Sequence, residues 1–270
     1  NFENKSIFGI KVKKVLVFVP SYNCQNQIVK TIVNIETYFS KYLDQILIVD
    51  NGSTDATVKM AYNYLKNSDI KNYKILSNKN NYSLGGSHKV AFNYMIDNEF
   101  DYLVAIHGDN QGDIRNLVNI FKNLEYVKYD CMFGARFHPK SKLINYSKLR
   151  IMGNIFFNII FSILLSSKIY DIGAGLNIYS RKFIKNKIYL NFPNSMMFNP
   201  YLHFYSYLIN SKTIFFPIDW KEEDQISNVS FFKDTLNLCK IVLILLFNKK
   251  SLLKKKFEKE MQYKFYEINE

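Results

Sequence analysis

Ile46-Leu47-Ile48-Val49-Asp50-Asn51-Gly52-Ser53-Thr54-Asp55 is a short apolar run that closes on a carboxylate and opens at once into a polar, glycine-containing turn. Ala105-Ile106-His107-Gly108-Asp109-Asn110-Gln111-Gly112-Asp113 repeats the design further along. In an open α/β sheet the carboxyl ends of the strands form the rim where ligands bind. Acidic residues on two such ends point to a nucleotide and a metal.

Outward from these stretches the chain alternates. Val15 to Val19 is a β-branched run ended by Pro20, and Gln25 to Lys41 carries apolar residues at helical spacing. Ile46 to Val49 precedes a helix expected from about Asp55 to Leu65, Tyr73 to Leu76 one from about Leu84 to Ile96, and Tyr102 to Ile106 one from about Ile114 to Leu124. Strands alternating with helices predict right-handed crossovers and an α/β fold, a mainly parallel sheet covered by helices on both faces. Residues 1–137 read as a nucleotide-binding half and 138–233 as the acceptor-side half of the same domain. In the latter, Leu176 to Tyr179 and Thr213 to Trp220 are strand candidates; residues 234–270 read as an amphipathic, Lys-rich helical tail.

Against 23 acidic residues stand 36 Lys plus Arg, for a net charge of +13. That balance favours anionic partners, although an AT-rich coding sequence would also enrich Lys and Asn. Arg is more informative: only Arg115, Arg136, Arg150 and Arg181 occur, and the guanidinium fork suits bidentate phosphate contacts. Nucleic acid is disfavoured as a partner, because the positive charge is diffuse and acidic strand ends repel phosphate unless a metal intervenes. Cys24, Cys131 and Cys239 lack metal-ligand spacing and read as reduced thiols. Asn1 to Lys14 lacks the order of a secretory signal, so a cytoplasmic location is expected. Ile151 to Leu165 and Leu236 to Phe247 fall short of an uninterrupted apolar span of roughly eighteen to twenty residues and read as interfacial, at the inner face of a membrane.

Several side chains carry candidate chemistry. Ser53, Thr54 and Asp55 suit a helix start, whereas Asp50, ending a buried strand, is a candidate for contact with a base or ribose. Asp109 and Gln111 are the candidate ligands of Mn²⁺ or Mg²⁺, which binds through few protein oxygens and completes its shell with diphosphate and water. A bound cation stabilises the charge that develops on a diphosphate leaving group. Asp113 reads as a helix cap. His107 is open to three roles: ligand, donor to the nucleotide, or a histidine satisfied by backbone. Tyr22, in Pro20-Ser21-Tyr22-Asn23, could stack on a base, and Lys89, following Gly85-Gly86-Ser87-His88, could approach phosphate. Arg136 reads as a phosphate clamp. Asp171, before Gly173 and Gly175, either orients the acceptor or is a turn carboxylate. Trp220, with Lys221 to Asn228, is either a lid over the donor or a solvated acidic loop.

Taken in order, these motifs resemble the family-two glycosyltransferases of GT-A fold, particularly the dolichol- or polyprenyl-phosphate sugar transferases, from about Lys14 to Lys233. The resemblance implies that Pro20, Tyr22 and Asp50 hold the nucleotide; Asn23, Asn51, Lys89, His107 and Gly108 are further candidate contacts from the residues themselves. It places the metal on Asp109 and Gln111, phosphate on Arg136, and a mobile acceptor loop over Trp220, Asp224, Ser227 and Asn228. The sequence departs from the family pattern at His107, where Asp is usual, at Cys24, where Glu is common, and at Ser83, where Gly is expected.

The implied reaction is an inverting, metal-dependent transfer of a sugar from a UDP or GDP donor to a membrane-associated acceptor, most simply polyprenyl phosphate. An anionic acceptor needs no general base; a sugar hydroxyl does, and Asp171 is then the candidate, with Glu223 or Asp224 behind it. The alternatives are a transferase acting on a growing surface polysaccharide or glycolipid, and a catalytically degenerate homologue that only binds nucleotide-sugar.

Overall fold

The computed structural model describes residues 6–7, 10–11, 13–223, 231–249, 251, 256 and 263–268. After a short antiparallel pairing of Ser6–Ile7 with Ile10–Lys11, the chain runs β1 (Val15–Ser21), α1 (Ile28–Phe39), β2 (Gln45–Asp50), α2 (Thr57–Asn67), β3 (Tyr73–Asn78), α3 (Ser83–Asp97) and β4 (Tyr102–Ala105). It continues through α4 (Val118–Lys122), β5 (Cys131–Ala135), β6 (Leu143–Ile144), α5 (Lys148–Leu165), β7 (Asn177–Ser180), α6 (Arg181–Ile184), α7 (Phe198–Leu208), β8 (Thr213–Pro217), β9 (Trp220–Lys221), α8 (Phe231–Phe247) and β10 (Phe265–Glu267).

Eight strands form one sheet in the order β8-β5-β7-β4-β1-β2-β3-β10. The alternation of side chains along a strand explains why both faces need cover. Leu16 and Phe18 of β1, with Leu47 and Val49 of β2, face a core built with α3, α5, α7 and α8. Val15, Val17 and Val19, with Ile46 and Ile48, face a second core built with α1, α2 and the segment around Phe121. Strands buried on both faces have unbroken apolar sequences, which is why the runs Val15 to Val19 and Ile46 to Val49 mark β1 and β2 so clearly.

The sheet is mixed. β4, β1, β2 and β3 are mutually parallel, and β8 is parallel to β5. β7 inserts antiparallel between β4 and β5, and β10 closes the edge antiparallel to β3. Two helix boundaries also differ from the sequence expectation. The helix expected from Ile114 is a 3₁₀ turn, Ile114–Leu117, followed by α4, because Asp113 accepts the Arg115 amide at 2.9 Å and Leu124 adopts φ 53°. α2 begins at Thr57, since the Asp55 carboxylate accepts the Thr57 amide at 3.0 Å. Beyond α8 the charged tail contributes β10, whose Glu267 pairs with Lys74 of β3 at 2.8 Å.

Where β5 meets β7, the Gly134 amide donates to Leu176 O at 3.0 Å, and a Cβ on residue 134 would lie 2.3 Å from that oxygen. Only glycine tolerates this approach. Gly134→Ala is therefore expected to destabilise the protein by at least about 1–3 kcal/mol, the usual cost of overpacking, read as a lower urea midpoint with an unchanged m-value.

Candidate active site

The chain lays down β1, β2 and β3 side by side and then returns to place β4 on the other flank of β1. The crevice beyond the carboxyl ends of β1 and β4 is thus a topological switch point, where α/β sheets bind ligands. β1 brings Pro20 and the half-buried Tyr22 there, β2 brings Asp50, and β4 leads into His107–Asp109. The Gly108 amide donates to Pro20 O at 3.0 Å and clamps the two strand ends together.

On the β2 side, polar side chains stitch three loops into one wall. The buried Asp50 carboxylate accepts the Gly52 amide at 3.2 Å, the Ser53 amide at 3.2 Å and the Ser77 hydroxyl at 2.8 Å. Its carboxylate therefore braces the turn from beneath the rim, rather than standing open on it. Asn51 donates to Asn81 Oδ1 at 2.8 Å and accepts the Tyr82 amide at 2.8 Å. Asn23 accepts the Thr54 amide at 2.9 Å, while its own amide donates to Ser53 Oγ at 2.9 Å.

Lys89, a candidate phosphate contact from sequence, stands elsewhere. It is fully buried in α3, and its Nζ donates to Leu190 O at 3.2 Å, Phe192 O at 2.6 Å and Asn194 Oδ1 at 2.8 Å. Its position on the core-facing side of α3 dictates this: a buried ammonium requires several acceptors, and the turn at 190–194 provides them. The cation is thus a structural rivet. Tyr263 OH reaches the same Asn194 Oδ1 at 2.9 Å, and Tyr82 OH accepts the Lys264 amide at 3.2 Å, so the strap carrying β10 is fastened to this wall.

At the end of β4, burial raises the Asp109 carboxyl to about 6, with a smaller contribution in the same direction from the charge of Glu222. Oδ1 accepts the Gln111 amide at 3.2 Å. A carboxylate disfavoured in this way by desolvation is one that a nearby cation would restore, and the Asp109 carboxylate with the Gln111 amide oxygen makes a hard-oxygen donor set suited to Mn²⁺ or Mg²⁺. Among the described residues no three His, Cys, Asp or Glu side chains cluster as a metal cage. An ion held by these two side chains would have to complete its shell with oxygens from elsewhere. His107 lies deeper. Its ring packs on Gly175, where a Cβ would come within 2.8 Å of Nδ1, and Nε2 is buried without a hydrogen-bond partner among the described residues. Burial, and then the Arg136 charge, lower it to about 4, which leaves it neutral near pH 7.

Arg136 and Asp171 are found together in the fold. Arg136 Nε donates to Asp171 Oδ2 at 2.7 Å and its Nη2 to Oδ1 at 2.9 Å; the Arg136 amide adds a bond to Oδ2 at 3.0 Å and the Gly173 amide one to Oδ1 at 2.9 Å. Asp171 is fully buried. With four donors on two oxygens it has no lone pair suitably placed to take a substrate proton, which corrects its candidacy as a base. Arg136 is likewise committed to a carboxylate rather than standing as an open clamp. Its guanidinium lies 5.3 Å from the Trp220 ring and donates from Nη1 to Tyr146 OH at 3.2 Å. Trp220 is buried, held by β9–β6 pairing and by a bridge to Gly112, so it anchors this corner instead of moving as a lid. Asp224, Ser227 and Asn228 lie outside the described residues.

The sequence reading missed one pair here. Arg150, at the start of α5, donates to Glu222 at 2.6 Å and lies 4.6 Å above the Tyr146 ring. Its rarity was the available signal, but nothing in the sequence connected position 150 with position 222. Breaking a buried ion pair strands a charge at a cost of about 3–5 kcal/mol. Asp171→Ala is expected to lose stability on that scale by urea denaturation, with the isosteric Asp171→Asn losing less.

Comparison with known proteins places these features in context. The model of glycosyl transferase family 2 matches residues 16–188. An undecaprenyl-phosphate mannosyltransferase of Micrococcus luteus is 23% identical over 166 residues, covering 62% of this chain and 66% of that protein. A dodecaprenyl-phosphate galacturonate synthase of Rhizobium johnstonii is 28% identical over 142 residues, 52% of this chain and 39% of that protein. Among solved structures, glucosyl-3-phosphoglycerate synthase from Mycobacterium tuberculosis, crystallised with Mn²⁺, UDP and phosphoglyceric acid, superposes with a TM-score of 0.60 at 13% identity, over 88% of this chain and 78% of that one.

Proposed function

The chain belongs to glycosyl transferase family 2 and has the GT-A fold, and on that premise we propose that it moves a sugar, with inversion, from a nucleoside diphosphate to polyprenyl phosphate at the cytoplasmic face of a membrane. The observation that carries the choice of acceptor is the saturation of Asp171. Among the described residues the neighbouring carboxylates Glu222 and Glu223 are paired as well, with Arg150 and Lys221. A sugar hydroxyl would need a base to take its proton, and His107, neutral and holding protons only below about pH 4, is a weak one. A phosphate acceptor arrives already anionic. The two relatives whose names specify polyprenyl phosphates support the same choice.

In this reading Tyr22 and the wall built on Asp50, Asn51 and Asn23 hold the base and ribose. Asp109 and Gln111 hold the divalent cation, which when bound neutralises the charge growing on the departing diphosphate. Arg136, locked in orientation by Asp171, lends positive potential to the acceptor phosphate, and Arg150 adds to it from the start of α5. The phosphate oxygen attacks the anomeric carbon in line as the bond from that carbon to the diphosphate breaks, and the diphosphate keeps the electron pair. No proton changes hands.

Calorimetry with UDP and with GDP, each with and without Mn²⁺, tests the site: metal-dependent binding is expected, and Asp109→Ala should weaken it by on the order of tenfold or more. Undiminished binding in that variant would refute the metal assignment. Thin-layer detection of a sugar-lipid, after incubation with nucleotide-sugars and polyprenyl phosphate, decides the acceptor. Acidity supplies a further check. Because Asp109 titrates near 6, protons compete with the cation below that value, and metal-dependent affinity should fall roughly tenfold for each pH unit below it. Asp109→Asn is expected to bind weakly and to flatten this profile.

A further inference from the structure

We propose that α5 and α8 together form an interfacial platform that seats the protein on an anionic lipid leaflet, with both helices lying along the surface rather than crossing it. The inference rests on the membrane acceptor proposed above for its purpose, but its evidence lies in other residues.

On α5 the side chains of Leu149, Met152, Phe156, Ile159 and Ile163 follow one another at steps of three and four, a single stripe on the helix. All five face solvent, from 55% exposed for Ile159 to 72% for Ile163. α8 packs beside α5, and Lys249, just past its end, donates from Nζ to Leu164 O at 2.8 Å. α8 turns Leu236, Leu243, Leu246 and Phe247 outward, Phe247 being 84% exposed. The six most exposed large apolar side chains among the described residues all lie on these two helices. Large apolar side chains exposed in such concentration mark an interaction site.

Charge identifies the partner. No acidic residue occurs from Asn145 to Tyr170, while Lys148, Lys168, Lys240 and Lys249 are exposed around the stripe. Lysines beside an apolar stripe suit anionic head groups over acyl chains. A second copy docked face to face would instead bring two such collars together. α5 has 18 residues and a mean hydropathy of 1.5, enough by length and composition to cross a membrane, so the polar residues within it do not shorten the helix. Its opposite side is nevertheless fixed to the domain: Phe157 and Phe161 are in the core, Asn158 donates to Tyr170 O at 2.7 Å, and Ser162 Oγ accepts the Ile169 amide at 2.9 Å. A helix tied to the domain at Arg150 and again over 157–162 can enter a bilayer only sideways. Arg150, at its start, then sits where a lipid phosphate would surface.

Flotation with vesicles tests the platform in the absence of any substrate. Binding to phosphatidylcholine vesicles containing phosphatidylglycerol is expected to exceed binding to phosphatidylcholine alone, and to weaken with salt. The Met152→Glu/Phe156→Glu double variant should lose binding by on the order of tenfold or more, whereas Met60→Glu, an exposed site on α2, should not. Cys239 is exposed on α8 while Cys24 and Cys131 are buried. A polarity-sensitive dye on Cys239 should therefore shift to the blue when vesicles are added. Unchanged binding by the double variant, an unshifted dye, or a dimer that the double variant dissociates in the absence of lipid would each overturn the proposal. Sugar transfer to a short-chain, water-soluble polyprenyl phosphate separates the two readings. Transfer without vesicle binding sinks the platform alone, and vesicle binding without transfer to any lipid phosphate sinks the acceptor alone.

Discussion

The bidentate contact between Arg136 and Asp171 is the constraint around which this corner of the fold is organised. It joins the end of β5 to the loop that enters β7, and through the Arg136 and Gly173 amides it fixes the backbone of both. Gly175 of that loop supports the His107 ring, Trp220 packs on the guanidinium, and Tyr146 links it to Arg150 and Glu222. Such a pair adds little net stability compared with apolar residues of the same shape. What it provides is geometry: a cation held in one orientation, at a place where a mobile lysine would sample many.

The site is an acidic feature in a basic chain. Asp50 ends β2 and Asp109 stands four residues beyond the end of β4, and burial is answered differently in the two. Asp50 receives two backbone amides and a hydroxyl and becomes a structural brace. Asp109 sits in a setting dominated by desolvation, with Glu222 adding a like charge. Two carboxylates beyond the same edge of the sheet thereby differ, one settled by backbone amides and a hydroxyl and the other held towards its neutral form by desolvation.

Much of this was legible in the sequence, for reasons specific to each segment. β1, β2 and β4 are buried on both faces and so declare themselves as apolar runs, and the carboxylates at the end of β2 and just beyond β4 stand out against them. The antiparallel sense of β7 was not legible, because Asn177 to Ser180 has the same local character whichever way it runs; the direction comes from the Leu176 and Asn177 contacts with Gly134. Lys89 could not be placed, since its acceptors at 190, 192 and 194 lie a hundred residues away. The pairing of Arg136 with Asp171 was equally hidden: each residue stood out alone, and only the fold shows that one occupies the other.

β10 has a consequence for how this protein comes into being. Without it β3 would be an edge strand offering unpaired amides and carbonyls to any neighbouring chain. Its partner arrives almost two hundred residues later, so the ribosome releases most of the domain before that border can be sealed. Contacts so distant along the chain form late, because loop closure must precede them. The nascent sheet therefore passes through a period with a sticky flank, and the same late strand that ends the exposure also tightens, through Tyr263 and Lys264, the wall proposed to receive the nucleotide.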